Sequence, residues 1–135
     1  MLNLITYLIY VLSLIILFEK KEEFRKLFLL CGILTCLILC IDAFYEFFNG
    51  SNIFGYSSID GRIAGLFGDR WLLGRYLVYI LPVLVGMYYL EKDKFENYKY
   101  LFFITIILTS LVIIFSGERA AFLLFSLYLF LILIF

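Results

Sequence analysis

Leu27-Phe28-Leu29-Leu30-Cys31-Gly32-Ile33-Leu34-Thr35-Cys36-Leu37-Ile38-Leu39-Cys40-Ile41-Asp42-Ala43-Phe44-Tyr45-Glu46-Phe47-Phe48 decides the class of this protein. A helix that crosses the hydrocarbon core of a bilayer needs about 20 mostly apolar residues. This run is long enough, and its only carboxylates, Asp42 and Glu46, fall near its end. Outward from it, the chain repeats the pattern. Met1 to Phe18 is a first apolar segment, followed by the charged run Glu19 to Lys26. Downstream lie apolar segments at 71–90, 100–115 and 120–135. The expected architecture is all-α, a polytopic transmembrane bundle of about five helices (1–18, 27–48, 71–90, 100–115 and 120–135) in one region. An external loop covers 49–70.

Composition agrees. The chain of 135 residues is 65% hydrophobic and only 16% charged, whereas soluble domains carry roughly a quarter charged residues. A domain this small cannot hide such an excess in its own core, because small domains expose a large share of their surface. Lipid is the solvent that accepts it. Formal net charge is zero, which gives no sign of nucleic-acid binding. Histidine is absent, and with it the commonest general base and zinc ligand. Cys31, Cys36 and Cys40 sit in one apolar run without a Cys-x-x-Cys pair, so they read as small hydrophobes rather than metal or redox groups. No cofactor and no metal are expected.

The first segment lacks a basic leader and a small-residue cleavage site, so it reads as a retained span and not a signal peptide. Orientation follows from lysine and arginine in the short loops. The loops after the first and third segments hold Lys20, Lys21, Arg25, Lys26, Lys92, Lys94 and Lys99; the other two hold Arg62, Arg70 and Arg119. The first set is therefore expected in the cytoplasm. The N-terminus, the loop 49–70 and the turn 116–119 are expected outside. Trp71, Tyr88, Tyr89, Tyr98 and Tyr100 read as interfacial aromatics. The last segment stops at Phe135 without a polar flank, as expected of part of a larger bundle.

Ionisable residues at membrane depth are costly and mark candidate sites. Asp42 and Glu46, four apart, share a helix face, with Asp42 roughly 9 Å below the helix end. They are either functional or interfacial carboxylates touching water. Arg62, Arg70 and Arg75 lie within fourteen residues, and the guanidinium fork suits phosphate or carboxylate. The plain alternative is that Arg75 snorkels and the others are solvated. Pro82 is expected to kink its helix. Ser116-Gly117-Glu118-Arg119 is either a polar hairpin capping the next helix or part of the same site, because it shares that membrane face.

Three stretches resemble the O-antigen ligase and O-antigen polymerase superfamily. They are Ile41 to Tyr56; Gly61-Arg62-Ile63-Ala64-Gly65-Leu66-Phe67-Gly68-Asp69 leading through Leu73-Gly74-Arg75 to Leu81-Pro82; and Ser116-Gly117-Glu118-Arg119-Ala120-Ala121-Phe122. The resemblance spans roughly residues 40 to 125. It implies a multi-pass protein of the bacterial inner membrane that moves glycan from an undecaprenyl-diphosphate carrier to lipid A–core or a growing polysaccharide on the periplasmic side. It implies neither nucleotide sugar nor metal. Arg62 and Arg119 match the family's motif arginines, expected to contact diphosphate or sugar, with Arg75 and Arg70 beside them. Asp42 and Glu118 are supporting acids, and no catalytic residue is assigned. The family's histidine-bearing periplasmic loop is missing, so the chain is expected to be a fragment, inactive alone. The rival expectation is a small transporter or channel subunit using Asp42, Glu46 and Arg75.

Overall fold

The computed structural model describes residues 22–57, 62–68, 72–90 and 95–134, without the side chains of 131–133. Among these residues there are four α-helices: α1 (Glu22–Asn49), α2 (Leu73–Leu90), α3 (Lys99–Phe115) and α4 (Arg119–Ile134). There is no strand among them, only an isolated antiparallel bridge between Ser51 and Ser57. The helix expected over 1–18 lies outside the described residues, so the expected five become four here. Short 3₁₀ turns at Gly65–Phe67 and Glu96–Tyr98 precede α2 and α3.

Helix α1 starts five residues before the apolar run. Glu22 and Glu23 occupy its first turn, where negative charge complements the helix dipole. Arg25 reaches back to Glu22 at 4.0 Å. The charged segment 22–26 therefore extends the helix instead of interrupting it. Along α1, Leu29, Ile33, Cys36, Cys40 and Ala43 are buried, and their three- and four-residue spacing draws one inward stripe. Leu34, Ile38, Ile41, Tyr45 and Phe48 form the opposite, exposed stripe. An exposed stripe this apolar suits lipid or a neighbouring apolar helix.

The first three helices pack on one another, and α4 lies against α2 and α3. Gly32 marks the α1–α2 crossing, since a β-carbon there would lie 2.5 Å from Leu84 Cδ2. Cys40 Sγ faces Thr109 Oγ1 at 3.9 Å between α1 and α3. The thiols of Cys36 and Cys40 are buried and free, as small apolar fillers. Tyr88 stacks on Phe102 with centroids 4.0 Å apart, joining α2 to α3. Tyr88 is thus turned inward, and is not the interfacial aromatic expected of it; Tyr89 and Tyr100 are exposed. The hydroxyls of Thr105, Thr109 and Ser110 each bond the carbonyl four residues back, which satisfies them without water. Helix α2 continues through Pro82.

Glu22–Asn49, Leu73–Leu90 and Glu96–Phe115 are long and apolar enough to cross a membrane; α4 is apolar but shorter. By these helices the chain is a membrane protein. The C-terminal end of α1 meets that of α3 through Phe47 and Phe115, 5.5 Å apart. The start of α2 meets the α3–α4 turn at Gly74 and Ser116. The helices therefore alternate in direction, and the described loop residues 50–57 and 62–68 gather with 116–118 at one end.

Candidate anion-binding site

The site is assembled from three buried carboxylates, each bonded to backbone amides far away in sequence. Asp42 and Glu46 are 0% and 2% exposed, so neither is the water-facing carboxylate considered above. Asp42 Oδ1 accepts from the Ile53 amide at 3.0 Å. Glu46 Oε1 and Oε2 accept from the amides of Ala64 (3.2 Å) and Gly65 (2.6 Å). Buried amides must find partners, and α1 supplies them for a loop with little secondary structure of its own. Asp42 Oδ2 is buried without a hydrogen-bond partner among the described residues. A β-carbon on Gly65, which stands at φ +58, would lie 3.3 Å from that oxygen; the loop fits because this residue is glycine.

Asn52 completes the loop. Its Nδ2 donates to the Gly65 carbonyl at 2.7 Å, and its Oδ1 accepts from the amides of Phe54 and Tyr56. One side chain thereby ties the hairpin 51–57 to the 3₁₀ turn at 65–67. Phe67 then rests against Tyr76 of α2, centroids 5.7 Å apart.

At the start of α2, Glu118 plays the corresponding part. Its Oε1 accepts from the Gly74 amide at 3.1 Å, and its Oε2 pairs with Arg75 Nε at 3.3 Å. A carboxylate at the first turn of a helix meets unpaired amides and the positive end of the dipole. Glu118 caps α2 from another helix pair. Ser116 donates to the Ile113 carbonyl and accepts from the Glu118 amide, which sets the turn. The approach requires Gly74, because a β-carbon there would lie 2.6 Å from Ser116 Oγ and 3.0 Å from Ala121 Cβ.

Arg62, projecting from the braced loop, crosses Gly117. A β-carbon on Gly117, itself at φ +71, would lie 3.3 Å from Arg62 Cγ. The result is a cavity of about 390 Å³ lined by Arg62, Arg75, Glu118, Arg119 and Ala120. Three arginines and one glutamate are among its lining residues. Beside it lies a second hollow of about 400 Å³ lined by Ile114, Gly117, Phe122 and Leu123 and sharing Glu118 and Arg119. The second is the more apolar of the two, and Glu118 and Arg119 line both.

Of the residues singled out in the sequence, Arg62, Arg75, Glu118 and Arg119 come together in this cavity. Asp42 and Glu46 stand behind it and shape the loop that carries Arg62. Arg70 lies outside the described residues. Asn52, Gly74 and Gly117 carry structural duties that the sequence reading did not assign. An asparagine between glycines signals a side-chain-stabilised turn, which would have flagged Asn52. Nothing local announces Gly74.

Both oxygens of Glu118 are engaged, so it positions Arg75 and α2. Among the described residues no three histidine, cysteine or carboxylate groups are placed to share a metal ion. What the cavity brings together is three guanidinium groups, which form strong charge-assisted hydrogen bonds with anions. No family model, curated protein or solved structure matches the chain.

Proposed function

We propose that the arginine cavity binds the diphosphate of an undecaprenyl-diphosphate-linked glycan. On this reading the chain acts as part of an O-antigen ligase- or polymerase-like membrane glycosyltransferase. The glycan would pass to lipid A–core or to a growing polysaccharide at the periplasmic face of the inner membrane. One observation carries the proposal: Arg62, Arg75 and Arg119 come from three separate elements and line one cavity, next to an apolar hollow that a lipid substrate could occupy. Glycosyl transfer from a diphosphate carrier leaves negative charge on the departing diphosphate. Fixed guanidinium groups stabilise such charge as it develops, and need no metal to do so.

The rival reading, a transport path through Asp42, Glu46 and Arg75, has less to stand on. Three of the four carboxylate oxygens of the two acids already hold loop amides, and Arg75 is paired with Glu118. Ion flux in liposomes abolished by Asp42→Asn would favour it.

The direct test uses the full chain in nanodiscs with undecaprenyl diphosphate, and uncharged undecaprenol as control. The diphosphate should bind in preference to the alcohol. Arg62→Ala and Arg119→Ala should each weaken it on the order of tenfold, about 1.4 kcal/mol. Equal binding of diphosphate and alcohol, or unchanged affinity in both variants, would sink the proposal.

A further inference from the structure

The hairpin 50–57 is placed and built unlike a water-exposed loop. Its first amides bond back onto α1: the Ile53 amide is held by Asp42. Asp42 lies seven residues before Asn49, the last residue of α1. At the α-helical rise that is about 10 Å below the helix end. The chain therefore leaves α1, turns at Gly50 (φ +74), and descends again alongside the helix it has just left. The amides of residues 52–56 all have partners there. The Asn52 amide reaches the Tyr56 carbonyl, the Gly55 amide reaches the Asn52 carbonyl, and Asn52 Oδ1 takes the amides of Phe54 and Tyr56.

The side chains are as unusual as the backbone. Residues 50–57, Gly-Ser-Asn-Ile-Phe-Gly-Tyr-Ser, contain no charge. The polar Asn52 is buried, while Ile53, Phe54 and Tyr56 are 58%, 72% and 53% exposed. This inverts the usual order of a loop in water, where polar groups face out. Beside it, Phe48 at the end of the exposed apolar stripe of α1 is 79% exposed. Non-helical backbone is tolerated at membrane depth only where its hydrogen bonds are met within the protein, and the Asp42 and Asn52 side chains take three of its amides.

We propose that this hairpin is a re-entrant wedge, with Ile53, Phe54 and Tyr56 seated in the headgroup–acyl boundary of the adjacent leaflet. Its partner is the lipid surface, not a sugar or a protein. An isoleucine and a phenylalanine offer a glycan no hydrogen bonds, and they are as exposed as the apolar stripe of α1, a helix long and apolar enough to cross a membrane. Amphipathic elements in this position bury their apolar side about 5–10 Å into the interface, in keeping with the level of Asp42. The inference stands independently of the diphosphate proposal, since it involves none of the arginines.

The chain has one tryptophan, Trp71, so a reporter can be installed cleanly. In a Trp71→Phe background, Phe54→Trp is reconstituted into vesicles containing lipids brominated near the ester end, near the chain terminus, or not at all. The indole should lose on the order of half its emission to the shallow bromines, less to the deep ones, and be shielded from aqueous iodide. Iodide quenching as strong as that of free tryptophan, with no effect of bromine, would show a loop in water and overturn the proposal. Shielding from iodide and bromine alike would show a protein cover, which overturns it too. Ile53→Trp gives the same readout should Phe54→Trp fail to elute as a monodisperse species.

Discussion

The two ends of the bundle each carry a hollow between helices, and the two are built by different means. At the loop end the cavity of about 390 Å³ is walled by arginines and Glu118. At the other end a hollow of about 260 Å³ is walled by Tyr88, Tyr89, Phe102, Phe103 and Lys99, among others. The first end depends on carboxylates: Asp42, Glu46 and Glu118 hold four backbone amides and one guanidinium drawn from distant segments. The second depends on rings, with Tyr88 stacked on Phe102 and Phe95 against Tyr98. Ring packing joins helices without aiming anything at a ligand. Bonds to buried acids fix backbone positions, and with them the directions from which Arg62 and Arg75 approach the cavity. The contrast teaches that an ionisable residue buried in this bundle serves a site indirectly, by holding the elements that bear the arginines.

That contrast can be broken by substitution. Glu46→Leu should have the largest effect. It strands the Ala64 and Gly65 amides, and buried groups without partners cost about 1–3 kcal/mol each. Unfolding in mixed detergent micelles should show a loss of about 3 kcal/mol, together with loss of anion binding at the arginine cavity. A variant as stable as the parent would mean that α1 does not brace the loop.

Gly74→Val comes next. The added atoms meet Ser116 Oγ and Ala121, and overpacking costs about 1–3 kcal/mol. Anion affinity should fall with stability, because the capping bond from Gly74 to Glu118 is pushed apart. Retained affinity would detach the cap from the site.

Tyr88→Leu should be milder, about 1 kcal/mol for the lost ring pair, and should leave anion binding at the opposite end unchanged. A drop in binding would show that the ends are coupled. Smallest of all is Lys99→Gln, an exposed substitution expected to stay within about 0.5 kcal/mol of the parent in the same unfolding assay. A larger change would mean that the ring-built end also depends on charge.

Some of this was legible in the residues alone. Apolar runs long enough to span a bilayer announced helices, and the observed α1, α2, α3 and α4 overlap the runs at 27–48, 71–90, 100–115 and 120–135. The start of α1 differs from the expected one for a plain reason: charged residues mark a boundary to an apolar run, yet Glu22 and Glu23 suit a helix's first turn. The grouping of Arg62, Arg75 and Arg119 was half visible, because the connectivity of spanning helices puts alternate loops on one membrane face. Their convergence on one cavity was not, since which loop touches which depends on helix packing.

The sequence by itself determined the solvent of this protein and the positions of its helices. Both follow from the lengths of apolar runs, a property each segment carries alone. It also determined that Asp42 and Glu46 share a face, because four residues make about one turn. Only the tertiary structure decided what that face meets. The amides of Ile53, Ala64 and Gly65 lie 11 to 19 residues from those acids, and Gly74 lies 44 from Glu118. No local periodicity encodes such pairings. They are settled when helices pack and every buried amide must find an oxygen.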